Sequence, residues 1–83
     1  MKVRVRYFAS LREALGADET VEMPEPSTVG DLRQLLLALG GRHAEVLARK
    51  RAVRTALNQT LCDEQAALID GAEVAFFPPV TGG

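Results

Sequence analysis

With 83 residues, 47 % of them hydrophobic, the chain is sized for one domain with a modest core and is too apolar to stay disordered. Its net charge of −1 argues against a nucleic-acid coat and against a strongly acidic tail, so neither nucleic acid nor a membrane surface is an expected partner. One cysteine, Cys62, forbids an internal disulfide and fits a reducing compartment, the cytoplasm, and the longest apolar run, residues 35–39, is far too short to span a bilayer.

In chain order, Lys2 to Phe8 alternates: Val3, Val5 and Tyr7 share one face, and Lys2, Arg4, Arg6 and Phe8 share the other. A period of two predicts a half-exposed strand whose basic side is a solvated sheet surface. Ser10-Leu11-Arg12-Glu13 matches a capping box that would open a short helix, ended by Gly16. Thr20 to Met23 alternates again, with Val21 and Met23 inward, and is closed by Pro24 and Pro26. This predicts a second strand, antiparallel to the first.

Thr28 is a good N-cap for the main helix, with Asp31 in its first turn, where the helix dipole favours a negative charge. Val29, Leu32, Leu36 and Leu39 recur at three and four, widened by Leu35, and form a core stripe until Gly40-Gly41 stops it. Arg42 to Lys50 reads as a short helix or turn carrying Val46 and Leu47, with His43 on the surface. Arg49, Lys50, Arg51 and Arg54 form a basic cluster, suited either to an acidic or phosphate-bearing partner or to plain solvation. Val53 to Leu57 is a third strand, Asn58-Gln59 a turn, and Thr60-Leu61-Cys62 a short strand in which Cys62 packs rather than reacts. Ala66 to Ile69 reads as one helical turn, Asp70-Gly71 as a tight turn, and Glu73 to Phe77 as the last strand.

Two N-terminal strands cannot bury a sheet face alone, so the long helix must cover it. That helix also supplies the crossover needed for the first and last strands to pair in parallel. The expected fold is α+β, one mixed sheet wrapped on one main helix, of the β-grasp type.

Phosphate-binding loops, metal-ligand spacings and nucleophile–base sets are absent from the sequence, so no metal site is expected. The last stretch, Phe76-Phe77-Pro78-Pro79-Val80-Thr81-Gly82-Gly83, stands apart. Proline lacks an N–H, so sheet pairing should stop at Pro78, and each proline holds its predecessor extended. The division expected is a domain over residues 1–79 and an extended tail over residues 80–83, with an arm from Pro79 of roughly 15 Å at ~3.3 Å per residue. Val80, Thr81 and Gly82 would thread a narrow channel, and the α-carboxylate of Gly83 is the candidate reactive group. Phe76 and Phe77 alternate, so one of them is core and the other faces outward.

The ending from Leu68 to Gly83, above all Phe76-Phe77-Pro78-Pro79-Val80-Thr81-Gly82-Gly83, the opening Val5-Arg6-Tyr7-Phe8-Ala9 with Arg12-Glu13, and Leu57-Asn58-Gln59-Thr60-Leu61 closely resemble the small subunits of molybdopterin synthase. The resemblance implies a ubiquitin-like sulfur carrier that binds no cofactor itself and is no enzyme alone. In that family an E1-like adenylating and sulfurating enzyme uses ATP to activate the terminal glycine carboxylate. A thiocarboxylate follows, and it donates sulfur to precursor Z inside the large synthase subunit, in an assembly of two small and two large subunits. By the same resemblance, Phe77, Leu61, Pro78 and Pro79 form the docking surface, with Phe77 as the outward aromatic and Arg12 and Arg49 to Arg51 as a polar rim. Alternatives of other classes are a carrier for thiamine or thiolated tRNA, a protein modifier joined through Gly83, and a plain binding module with an inert tail.

Overall fold

A computed structural model describes residues 1–79. The elements run β1 (Lys2–Tyr7), α1 (Ala9–Leu15), β2 (Asp18–Glu22), α2 (Val29–Ala38), α3 (Gly41–Val46), β3 (Arg54–Leu57), β4 (Thr60–Cys62) and β5 (Glu73–Phe77). They form a five-stranded sheet in the order β2-β1-β5-β3-β4. β1 pairs antiparallel with β2 and parallel with β5, Val5 lying opposite Val74 and Tyr7 opposite Phe76. The first and last strands therefore lie side by side at the centre, as a crossover through α2 requires. The mixed sheet with helices on one face is the expected α+β architecture.

The alternation of β1 is fully expressed. Val3, Val5 and Tyr7 are buried beneath the helices together with Val29, Leu32, Leu36, Val74 and Phe76. α2 is held at its start by a reciprocal capping box: Asp31 N donates to Thr28 Oγ1 at 3.1 Å, and Thr28 N donates to Asp31 Oδ2 at 2.9 Å. Asn58 and Gln59 both take positive φ (48° and 70°), the geometry of a tight two-residue hairpin between β3 and β4.

Four expectations are corrected. Helix α1 begins one residue before Ser10, with Phe8 as its N-cap and no side-chain cap. Ala9 turns the chain sharply at φ 54°, so the Phe8 carbonyl accepts from Leu11 N and Arg12 N, and Ser10 already lies inside the first turn. α2 stops at Ala38, and Leu39, its C-cap, is 57 % exposed instead of core. The positive φ of Gly40 (73°) and Gly41 (55°) redirects the chain there into α3. Residues 66–69 form no helical turn, because Ala67 bridges Thr28 and Leu68 N donates to Ser27 O, which fixes the segment as extended chain beside the start of α2. His43 is half-buried instead of on the surface, since its Nε2 lies 2.8 Å from Glu19 Oε2 on β2.

Glu64 and Arg33 tie the long connections to α2. Arg33 is 4 % exposed. Its Nε donates to Leu47 O (2.9 Å), its Nη2 to Ala48 O (2.7 Å) and Arg51 O (3.2 Å), and its Nη1 to Glu64 Oε2 (2.7 Å). Glu64 also accepts from Arg49, which removes Arg49 from the free basic cluster. Burial pushes the Glu64 carboxyl up, but the hydrogen bonds and charges of Arg49 and Arg33 together outweigh it, leaving it below the ordinary glutamate range. A carboxylate lowered in this way stabilises the fold above its unfolded value and ceases to do so as pH falls through its folded value. The melting temperature should therefore fall on acidification below about pH 5, and Glu64→Gln should flatten that part of the profile when the two proteins are melted side by side.

Candidate docking face and tail root

The sheet face opposite the helices carries the side chains that β1, β3 and β5 point away from the core. In the β1–β5 register Arg6 lies opposite Ala75, and in the β3–β5 register Ala56 lies opposite Ala75 and Arg54 opposite Phe77. Small residues at Ala56 and Ala75 leave a depression between the larger neighbours. The result is a mostly apolar groove of about 440 Å³ lined by Arg6, Phe8, Ala56, Glu73, Ala75 and Phe77. Leu61, opposite Ala56 on β4, adds an aliphatic side chain that is 64 % exposed.

The open choice between the two aromatics of β5 is resolved by burial. Phe76 is fully buried and stacks on Tyr7 with ring centroids 6.2 Å apart, while Phe77 stands half-exposed in the groove. Strand pairing ends at Phe77, and Pro78 and Pro79 follow, half-buried, at the end of β5. Of the proposed tail and docking residues, the structure thus brings Phe77 and Leu61 to one face and roots Pro78 and Pro79 beside it. Val80, Thr81, Gly82 and Gly83 lie outside the described residues. Arg12 is exposed on α1.

Sequence reasoning treated the β1 face as solvated and so missed the groove. The available signal was Phe8, which the alternation places with Arg4 and Arg6, where a large aromatic has no solvation role. Arg6 lies over Phe8, with Cζ 5.3 Å from the ring centroid, and its Nη1 is 3.7 Å from Glu73 Oε1. On the opposite face, the Tyr7 hydroxyl donates to Glu19 Oε2 at 2.8 Å. Burial first, and then that bond, push the Tyr7 hydroxyl up, so it remains a donor and locks β1 to β2. Among the described residues no group of side chains could hold a metal ion, and no helix is long and apolar enough to cross a membrane.

Comparison with known proteins finds similarity that spans the chain. The molybdopterin synthase sulfur carrier subunit of Escherichia coli is 44 % identical over 81 residues, covering 98 % of this chain and 99 % of that one. One chain of the protein–protein complex of subunits 1 and 2 of the molybdopterin-converting factor from Helicobacter pylori superposes with a TM-score of 0.72 at 28 % identity, covering 100 % of this chain and 100 % of that one. SAMP1 of Haloferax volcanii superposes with a TM-score of 0.80 at 26 % identity, again over the whole of both chains. The family model that matches runs through residues 5–83, from the middle of β1 to the final glycine, and the chain belongs to the ThiS family, on the ubiquitin-like β-grasp fold.

Proposed function

We propose that this protein is the sulfur carrier subunit of a molybdopterin synthase. The observation that carries the reading is the end-to-end similarity to the Escherichia coli sulfur carrier subunit, together with a Phe-Phe-Pro-Pro stiffener set directly before Gly-Gly. The Helicobacter pylori complex supports a large-subunit partner seated on a chain of this fold.

The chemistry proposed for the end of the chain follows from the weakness of a carboxylate as an electrophile. Its charge and resonance resist attack, so the Gly83 carboxylate oxygen must first attack the α-phosphorus of ATP, with release of pyrophosphate. An E1-like enzyme holds both. Hydrosulfide, the sulfide-level nucleophile, then adds to the acyl carbon and AMP leaves, giving a thiocarboxylate. Thiocarboxylic acids are more acidic than thiols, so the sulfur is ionised and nucleophilic near neutral pH. In the large subunit's active site it is passed to precursor Z, in a cytoplasmic assembly of two small and two large subunits. Gly82 and Gly83, without Cβ atoms, let both enzymes close on the acyl group. Val80 and Thr81 thread the channel, while Phe77, Leu61, Pro78 and Pro79 dock. The carrier itself binds no cofactor.

The test is intact mass spectrometry after incubation with ATP, the adenylating enzyme and a sulfur source. The expected result is a gain equal to the difference between one sulfur and one oxygen atom. An unchanged mass, with an enzyme preparation that loads a known carrier, would sink the proposal. A second reading, a protein modifier joined through Gly83 to a lysine amine, is favoured by the similarity to SAMP1. It predicts a ladder of covalent adducts in extract, which the carrier reading does not.

A further inference from the structure

The groove is apolar but not neutral. Arg4 is paired with Asp18 at 3.0 Å. Arg6, by contrast, meets its nearest carboxylate, Glu73, at 3.7 Å, beyond hydrogen-bond distance, and its Nε is buried with no acceptor among the described residues. Across Phe77 lies Arg54, exposed and without an ion pair among the described residues. Two cations therefore flank the Ala75–Phe77 strip, and one loosely placed carboxylate answers them. An apolar surface laid over this face would strip water from Arg6 while leaving it only the loosely placed Glu73 carboxylate. Burying a guanidinium without a well-placed counter-charge is costly enough to cancel much of the gain from filling the groove.

Resting on the docking role of this face, we propose that the partner protein brings an acidic-apolar element to it. One apolar side chain fills the groove lined by Phe8 and Phe77, and a carboxylate carried beside it pairs with Arg6, with Arg54 adding a second positive charge. Arg6 is then the residue that selects the partner: an apolar surface of the same shape without the carboxylate is rejected by the poorly compensated charge. Glu73 sets the register of Arg6 in the free protein and yields it to the partner's carboxylate.

The experiment is calorimetric titration of the full chain with the large synthase subunit of the same organism, at low and high salt. Arg6→Leu keeps the apolar stem and removes the charge. It should weaken binding by at least about tenfold and reduce the salt dependence. Arg6→Gln serves as the second variant should the first melt early, and is expected to behave alike. Glu73→Gln should bind as tightly as the parent or more tightly, because it removes a competitor for Arg6. Leu61→Asp, a control for docking itself, should abolish binding. If the Arg6 variants bind like the parent or better while Leu61→Asp fails, the acidic element is wrong and the docking face stands. If Glu73→Gln weakens binding as much as Arg6→Leu, then Glu73 is the counter-ion in the complex and the inference falls. If Leu61→Asp binds normally, the docking role of the face falls, and this inference with it.

Discussion

Deletion of Gly83 is expected to abolish sulfur loading while leaving the thermal unfolding curve superimposable on that of the parent. The two halves of this expectation have separate causes. Phe76 is the last fully buried side chain among the described residues, whose sheet pairing ends at Phe77, and a glycine has no side chain to contribute to a core. Loading, in contrast, depends on where the acyl carbon sits in the activating enzyme. Shortening the chain by one residue withdraws it by ~3.3 Å, far more than a positioned nucleophile tolerates. Moreover, the new end would be Gly82, chemically the same group, so the loss would report on reach and not on reactivity. Adding one alanine after Gly83 should be as damaging, since it brings a Cβ to the reacting end. Either variant loading at the parental rate, read by the same mass shift, would contradict the arm and channel.

Replacing Arg33 with alanine is expected to destabilise the fold by about 3–5 kcal/mol, the range for breaking a buried charge pair from one side. For a domain of this size that corresponds to a melting temperature lowered by about 12–40 °C. Arg33 satisfies three backbone carbonyls, of Leu47, Ala48 and Arg51, as well as the Glu64 carboxylate. Truncation removes the Arg33 donors from the three carbonyls, leaves Glu64 with Arg49 alone, and opens a void beside α2. Arg33→Lys keeps the charge but cannot reach four acceptors from one ammonium, and should recover only part of the loss. Glu64→Gln should cost less, because its side chain is about a third exposed and the Arg33 carbonyl acceptors remain. A loss below about 1 kcal/mol for Arg33→Ala, measured by denaturant unfolding, would show that the loop finds other donors.

The parts of the fold that could be read in advance are those written in local pattern. Val3, Val5 and Tyr7 alternate because one side of β1 meets the core, and Thr28 with Asp31 announces α2 through bonds only three residues apart. Asn58-Gln59 and Asp70-Gly71 are turn pairs whose own backbone preferences decide the outcome. What escaped depends on contacts across the fold. Arg33 sits next to Leu32 and looks like the polar side of an amphipathic helix, but its acceptors lie 14 to 31 residues away. His43 finds Glu19 across 24 residues, and no ligand spacing would reveal it. Residues 66–69 were misjudged because an alanine-rich run favours helix locally, whereas pairing of Ala67 with Thr28 decides its shape. On the sheet face away from the helices, Phe77 and Leu61 are singled out by the family resemblance, and the structure leaves Phe77 half-exposed and Leu61 exposed there. The groove between them was not legible, because Ala56 and Ala75 contribute by being small.

The parallel pairing of β1 with β5 also governs how the molecule is made. In a nascent chain that has emerged only through residue 72, the β1–β2 and β3–β4 pairs share no ladder, because β5 lies between them in the sheet. Two-stranded pieces of this kind are marginal in water, and contacts between distant strands form slowly. The sheet is therefore completed only when β5 leaves the ribosome. A prematurely terminated product lacking that strand would stay open to proteolysis, so the cell's pool of compact carriers is screened, by topology alone, for chains whose translation reached the root of the arm.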